Sequence, residues 1–253
     1  MNRFLFGIFP YLCLAVFVVG HVWRYRYDKF GWTTRSSQLY EDRLLRIGSP
    51  LFHFGMLGVV GGHILGLLIP QKWTDAIGLS REAYHVLALV GGIPAGVAAV
   101  VGLAILVYRR RTTGPVFSAT TTNDKVMYLV LGAVILLGIW NTIAGSLLSF
   151  GGHYNYRDGV SPWFRSIFEM RPDVDLMAAA PLGFKVHAVL AFLLFAMWPF
   201  TRLVHVFSAP IGYLNRPYIV YRSRDKQAAG GSRAPQRGWD KPELSSAPTK
   251  GKS

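Results

Sequence analysis

The chain has 253 residues, 51% of them apolar, with 27 Lys and Arg against 13 Asp and Glu, a net charge of +14, and a single cysteine, Cys13. One cysteine excludes a Cys-x-x-Cys-His haem attachment, a four-cysteine iron–sulfur site and an intrachain disulfide. The apolar excess gathers in runs near the roughly 20 residues that a helix needs to cross a bilayer core, so the expected class is an all-α membrane protein with five transmembrane helices.

The first run, residues 4–23, has only Arg3 before it. Arg24, Tyr25 and Arg26 follow at once and no small-residue cleavage pattern precedes them, so it reads as a retained helix rather than a removed signal. The second, 49–69, is uncharged yet carries His53 and His63, together with Gly55, Gly58, Gly61, Gly62 and Gly66. The third is 84–108, with His85 near its start and Arg81 one turn earlier; the fourth is 126–150. An external segment follows. Its stretch SPWFRSIFEM, from Ser161 to Met170, suggests a short amphipathic helix with Trp163, Phe164 and Phe168 at the wet–dry boundary. The fifth run, 182–206, carries His187 and His205. Residues 1–222 are thus expected to form the membrane domain. Residues 223–253, rich in Ala, Gly, Ser, Pro and Lys from Gln227 onward, are expected to form a flexible cytoplasmic tail. No tandem repeat and no phosphate-binding glycine loop occurs.

Orientation follows from the basic residues of the loops. One side, comprising residues 24–46, 109–125 and everything after Thr201, holds 20 Lys and Arg against 7 acidic residues. The other side holds 7 against 6. The positive-inside rule then puts the amino terminus outside and the carboxyl terminus in the cytoplasm. Most of the charge is therefore topology and contact with anionic lipid headgroups, or a docking face for an acidic soluble partner, and no nucleic-acid signal.

Polar groups inside a bilayer are costly and usually functional. A lone histidine such as His21 or His153 is most simply a packing residue, but His53, His63, His187 and His205 form two pairs on two runs. His187 and His205 lie 18 residues apart, five whole turns of a continuous helix, and so share a face. His53 and His63 lie 10 apart and share a broader one. The two runs are antiparallel, which sets His53 against His205 near the cytoplasmic side and His63 against His187 near the outside. Facing imidazoles suit a haem iron with two axial nitrogens. The helical rise gives about 15 Å between one pair of positions and about 27 Å between the other, hence irons about 21 Å apart on tilted helices. The glycines of the second run would leave room for the flat macrocycles. The alternative is a haem-free transporter or scaffold whose histidines bind a divalent metal.

Four stretches carry a resemblance: LFHFGMLGVVGGHILG, RRRTTGPVFSATTTNDK, GFKVHAVLAFLLFAMWPFTRLVHVFSAPIGYL and RYRYDKFGWTTRSSQ. Together they resemble the gamma subunit of respiratory nitrate reductase over about residues 4–222. Haem-binding helices of the cytochrome bc type space their histidines more evenly than this chain does. The resemblance implies a membrane cytochrome b of the bacterial inner membrane, serving as the electron-transfer subunit of a quinol:nitrate oxidoreductase. It implies two haems b, the distal one held by His63 and His187, the proximal one by His53 and His205. Menaquinol or ubiquinol would be oxidised beside the distal haem, where Gly62 matches a family position, and electrons would pass to an iron–sulfur beta subunit and a molybdenum alpha subunit. Arg109 stands where the family places a cation near the cytoplasmic haem, to hold a propionate or to anchor the helix end. One departure concerns the quinol site: the family's lysine at the start of the third span corresponds to Ala83, flanked by Arg81 and His85, either of which could take over its hydrogen bond. A dihaem anchor serving a different reductase is the nearest rival reading.

Overall fold

The structure, a computed structural model, describes residues 1–28, 40–146 and 154–208. The chain divides into two units, Met1–Ala209 and Pro210–Ser253. The second lies outside the described residues, and with it the expected tail; so do His153, the end of the fourth apolar run and part of the 24–46 loop.

Among the described residues every element is helical. In chain order they are α1 (Phe4–Tyr27), α2 (Arg43–Leu68), α3 (Gln71–Ala76), α4 (Arg81–Thr112), α5 (Gly114–Ser118), α6 (Thr122–Ser146), α7 (Val160–Phe168), α8 (Val174–Ala179) and α9 (Leu182–Met197). Five of them, α1, α2, α4, α6 and α9, are long and apolar enough to cross a membrane. The helices α1, α2, α4 and α6 each extend beyond their apolar stretch at one end or both, because a helix does not stop where lipid stops. In α4 the Ser80 hydroxyl accepts the Ala83 amide at the start, and Arg109, Arg110 and Arg111 complement the dipole at the end. Apolar side chains such as Val19, Phe54, Leu57 and Leu129 stay exposed on the outer faces, as a lipid solvent permits.

Small residues set how closely the helices approach, as expected where lipid removes the hydrophobic drive between them. A side chain at Gly55 would start 2.5 Å from the Ala99 amide nitrogen and 2.8 Å from the Ala95 carbonyl oxygen, so α2 and α4 touch backbone to backbone. Gly58 meets Ala95, Gly102 meets Phe52, and Gly48 meets Ile105 along the same seam. Gly96 admits Ile139 of α6, and Gly20 of α1 admits Pro199.

The fifth span differs from expectation. It is not one helix to residue 206. The α-helix ends at Met197, Trp198–Phe200 tightens to a 3-10 turn, Thr201 is extended (φ −112°, ψ 177°), and Arg202–Ser208 forms a separate 3-10 segment. Pro199 is the cause: it has no N–H, and its ring clashes with the carbonyl a turn back. Trp198 secures the break, its indole N–H donating to the Leu203 carbonyl at 2.8 Å.

The amphipathic segment forms a helix, α7, but Trp163 is buried within the protein rather than presented on its surface. It is 1% exposed, packs edge-on against Phe6 and Phe192, and donates its indole N–H to the Phe6 carbonyl at 2.9 Å. Phe168 does remain exposed. The same segment caps α2. The Ser161 hydroxyl donates to the Gly66 carbonyl, Arg165 to Leu67 and Arg157 to Ile69, satisfying carbonyls that a helix end leaves without partners.

Candidate functional site

The four intramembrane histidines meet in two pairs. The His53 and His205 ring centroids are 5.9 Å apart with the planes at 69°; those of His63 and His187 are 6.2 Å apart at 25°. A metal–imidazole nitrogen bond is about 2 Å long. Two imidazoles on opposite sides of one ion therefore hold their centroids about 6 Å apart, the separation both pairs show.

Tautomers matter as much as distance. His53 turns Nδ1 to the Ser49 carbonyl at 2.7 Å, His63 to Val59 at 2.8 Å, and His205 to Arg202 at 2.6 Å. A ring that donates Nδ1–H to a carbonyl keeps Nε2 as its lone-pair nitrogen, the arrangement a metal-binding histidine uses. His187 lies beside Val134 of α6, and its ring sits over Gly138, where a side chain would start 3.2 Å from its Cε1. His21 has the same local bond, to Phe17 at 2.7 Å, but packs between Phe17 and Phe207, so the bond alone does not make a site. Among the described residues no three His, Cys, Asp or Glu side chains gather. The donors come as pairs, which suits a group bringing four nitrogens of its own better than a bare divalent ion.

The break in the fifth span also revises the spacing. His53 and His63 lie about 15 Å apart along α2. A continuous helix would have carried His205 about 27 Å from His187. The chain bends at Thr201 instead, and His205 meets His53 on the α2 spacing.

Of the second-run glycines, Gly55 and Gly58 pack against α4, and Gly66 lies beneath the Tyr84 and Tyr156 hydroxyls, which are 2.5 Å apart. Gly61 and Gly62, next to His63, have nothing within 4 Å of where a side chain would begin. His85 is exposed. Arg81, also exposed, lies 3.8 Å from Asp158 and within 3.2 Å of the Gln71 amide, oriented to accept. Ala83 is exposed between them.

Arg109 is 1% exposed and donates to both the carboxylate and the backbone carbonyl of Glu41. Burial opposes ionisation of Glu41, but the Leu44 amide and the Arg109 guanidinium outweigh it and hold its carboxyl below the ordinary value. Arg109 can hold a propionate only by sharing its guanidinium with Glu41. Sequence reasoning missed this partner, since nothing local links residues 41 and 109. It also missed Gly138, which reads as an ordinary apolar-helix glycine, and the Asp124–Arg202 pair, although Thr121-x-x-Asp124 has the spacing of a capping box.

A model of the nitrate reductase gamma subunit family matches residues 2–224. The chain belongs to that family. It is 46% identical to the nitrate reductase gamma chain of Bacillus subtilis over 224 residues, which is 88% of this chain and 99% of that one. It is 36% identical to the respiratory nitrate reductase 2 gamma chain of Escherichia coli, covering 98% of it. It is also 58% identical, over 94% of its own length, to the nitrate reductase-like protein NarX of Mycobacterium tuberculosis, but spans only 36% of that protein. With five membrane-length helices, this member of the family is a multi-pass membrane protein.

Proposed function

We propose that the chain is the dihaem cytochrome b of a quinol:nitrate oxidoreductase, with its amino terminus outside and its carboxyl terminus in the cytoplasm of a bacterial inner membrane. The observation that carries this is the meeting of four histidines as two pairs at 5.9 and 6.2 Å, with Nδ1 of His53, His63 and His205 tied to carbonyls. His63 and His187 would hold the distal haem, His53 and His205 the proximal one. When bound, the haems supply one-electron transfer along the bilayer normal.

The protein's own groups do the rest. The Nδ1–H groups of His53, His63 and His205, tied to carbonyls, fix those rings and keep Nε2 as the lone-pair nitrogen. Gly62, bare at its Cα, lets a flat quinol approach His63. His85 accepts a quinol proton and passes it outward, since imidazole exchanges protons near neutral pH. Arg81 donates to a quinol oxygen and is steadied by Asp158. At the cytoplasmic end Arg109 and Glu41 pin the α2 and α4 termini beside the exit. One cysteine cannot build a cluster, so electrons would have to leave there to an iron–sulfur beta subunit and on to a molybdenum alpha subunit that reduces nitrate.

The test is haem content in the complex purified with its partners. A pyridine haemochrome assay should return two b-type haems per chain, with each of His53→Ala and His187→Ala losing one. One haem in the wild type refutes the assignment. For the quinol site, His85→Ala with full haem should lose activity with a quinol analogue and keep it with an artificial donor; wild-type rates with both remove His85 from the mechanism.

A further inference from the structure

His205 is the only one of the four paired histidines that does not stand on a transmembrane helix. It sits on the short Arg202–Ser208 segment beyond the extended Thr201, so its position needs support from elsewhere. That support comes from the start of α6. Asn123 donates its side-chain amide to the Phe200 carbonyl on one side of the break. On the other side, Arg202 makes a two-pronged ion pair with Asp124, Nε to Oδ1 at 2.7 Å and Nη2 to Oδ2 at 2.8 Å. Both side chains are largely buried, at 12% and 7% exposure.

Asp124 is itself fixed. Its Oδ2 accepts the Thr121 amide at 3.0 Å, and its own amide donates to the Thr121 hydroxyl at 3.2 Å, a reciprocal cap on α6. The backbone of Arg202 completes the chain of contacts, since its carbonyl accepts His205 Nδ1–H at 2.6 Å. One line of hydrogen bonds thus runs from the α6 terminus through Asp124 and Arg202 to the imidazole that faces His53.

We infer that the Asp124–Arg202 pair is the positioning element of the His205 ring, fixing its tautomer and angle and setting the charge beside the proximal centre; this rests on the haem assignment above. The pair acts in two ways. A forked Arg–carboxylate contact fixes direction as well as distance, which a lysine cannot reproduce. Asp124 also places a negative charge one turn from the ligand, against the Arg202 guanidinium, and removing that negative charge favours the less positive, reduced iron.

The experiment uses the assembled membrane complex carrying Asp124→Asn, Asp124→Glu or Arg202→Lys, with His205→Ala as reference. His205→Ala identifies the haem signal belonging to the His53/His205 pair. If it removes neither haem, the assignment itself fails, whatever Asp124 does. With the assignment standing, Asp124→Asn keeps both haems but shifts the paramagnetic resonance signal of that haem and raises its midpoint potential, leaving the other haem at wild-type values. Asp124→Glu moves both readouts back toward wild type. Arg202→Lys keeps the cation and loses the fork, so it shifts the resonance signal without the same rise in potential. Wild-type signals and potentials in Asp124→Asn, or equal shifts of both haems, overturn the inference and leave the pair a helix staple. If Asp124→Asn does not accumulate, Arg202→Lys decides alone: an unchanged resonance signal overturns it.

Discussion

Replacing Gly55 by alanine should damage the chain more than its size suggests. A methyl there starts 2.5 Å from the Ala99 nitrogen and 2.8 Å from the Ala95 oxygen, both backbone atoms that no rotamer change can move aside. Ordinary contacts lie near 3.5–4.0 Å, so α2 and α4 must part locally by about 1 Å. Overpacking of this kind costs about 1–3 kcal/mol. It should not fall evenly on the two proposed haems. Gly55 is about 3 Å along the axis from His53 and about 12 Å from His63. A metal bridging two imidazoles tolerates little of a 1 Å shift, so the proximal haem should be lost first. The assay is haem content and thermal half-life of the purified complex, with Gly91→Ala as control, because Gly91 is exposed with nothing within 4 Å. The control should be neutral or gain up to about 1 kcal/mol from helix propensity. Gly55→Ala with wild-type half-life and both haems would show that the α2–α4 seam yields freely, and the packing argument would fail.

Gly138→Ala presses a methyl to 3.2 Å from the His187 ring and should alter the distal haem's spectrum and potential while sparing the proximal one; an unchanged distal spectrum counts against the His187 placement. Pro199→Ala removes the block to a continuous fifth helix and should speed loss of the proximal haem only, followed as the decay of its absorbance on heating. Glu41 titrates below its ordinary value of 4.5, so its stabilising contribution is present above that pH and is lost as pH falls through the lower, folded value. The stability gap between wild type and Glu41→Gln should therefore stay constant from about pH 8 to about pH 5 and close in more acid solution; a gap that closes near neutrality contradicts the Arg109 pairing.

Five membrane helices were legible in the apolar runs because a bilayer imposes one length on every crossing. The His53/His205 and His63/His187 proximities were legible too, since antiparallel runs order their residues by depth. The break at Thr201 was not seen, although Pro199 stands in plain view, because a proline inside a lipid-soluble run can equally kink a helix or end it. Trp163 was expected at the wet–dry boundary as one of the aromatics of an amphipathic helix; only the fold shows that Phe6 and Phe192 cover it. The glycines divide by what faces them, and nothing in their spacing separates Gly55, which touches backbone, from Gly62, which touches nothing.

The unequal spacings of 10 and 18 residues were the puzzle in the sequence, and the break resolves them. On a straight fifth helix the two intervals would differ by about 12 Å, more than helix tilt alone can absorb. Ending the helix at Met197 lets the following residues change direction, so His205 meets His53. That freedom has a cost: a short 3-10 segment has poorer hydrogen bonds than an α-helix and holds a ring less firmly. The polar residues that a bilayer would otherwise exclude collect at this point, with Asn123, Asp124, Thr201 and Arg202 all engaged around the break. Their presence follows from the geometry. Where a ligand leaves its helix, directed hydrogen bonds must do what the helix did for the others.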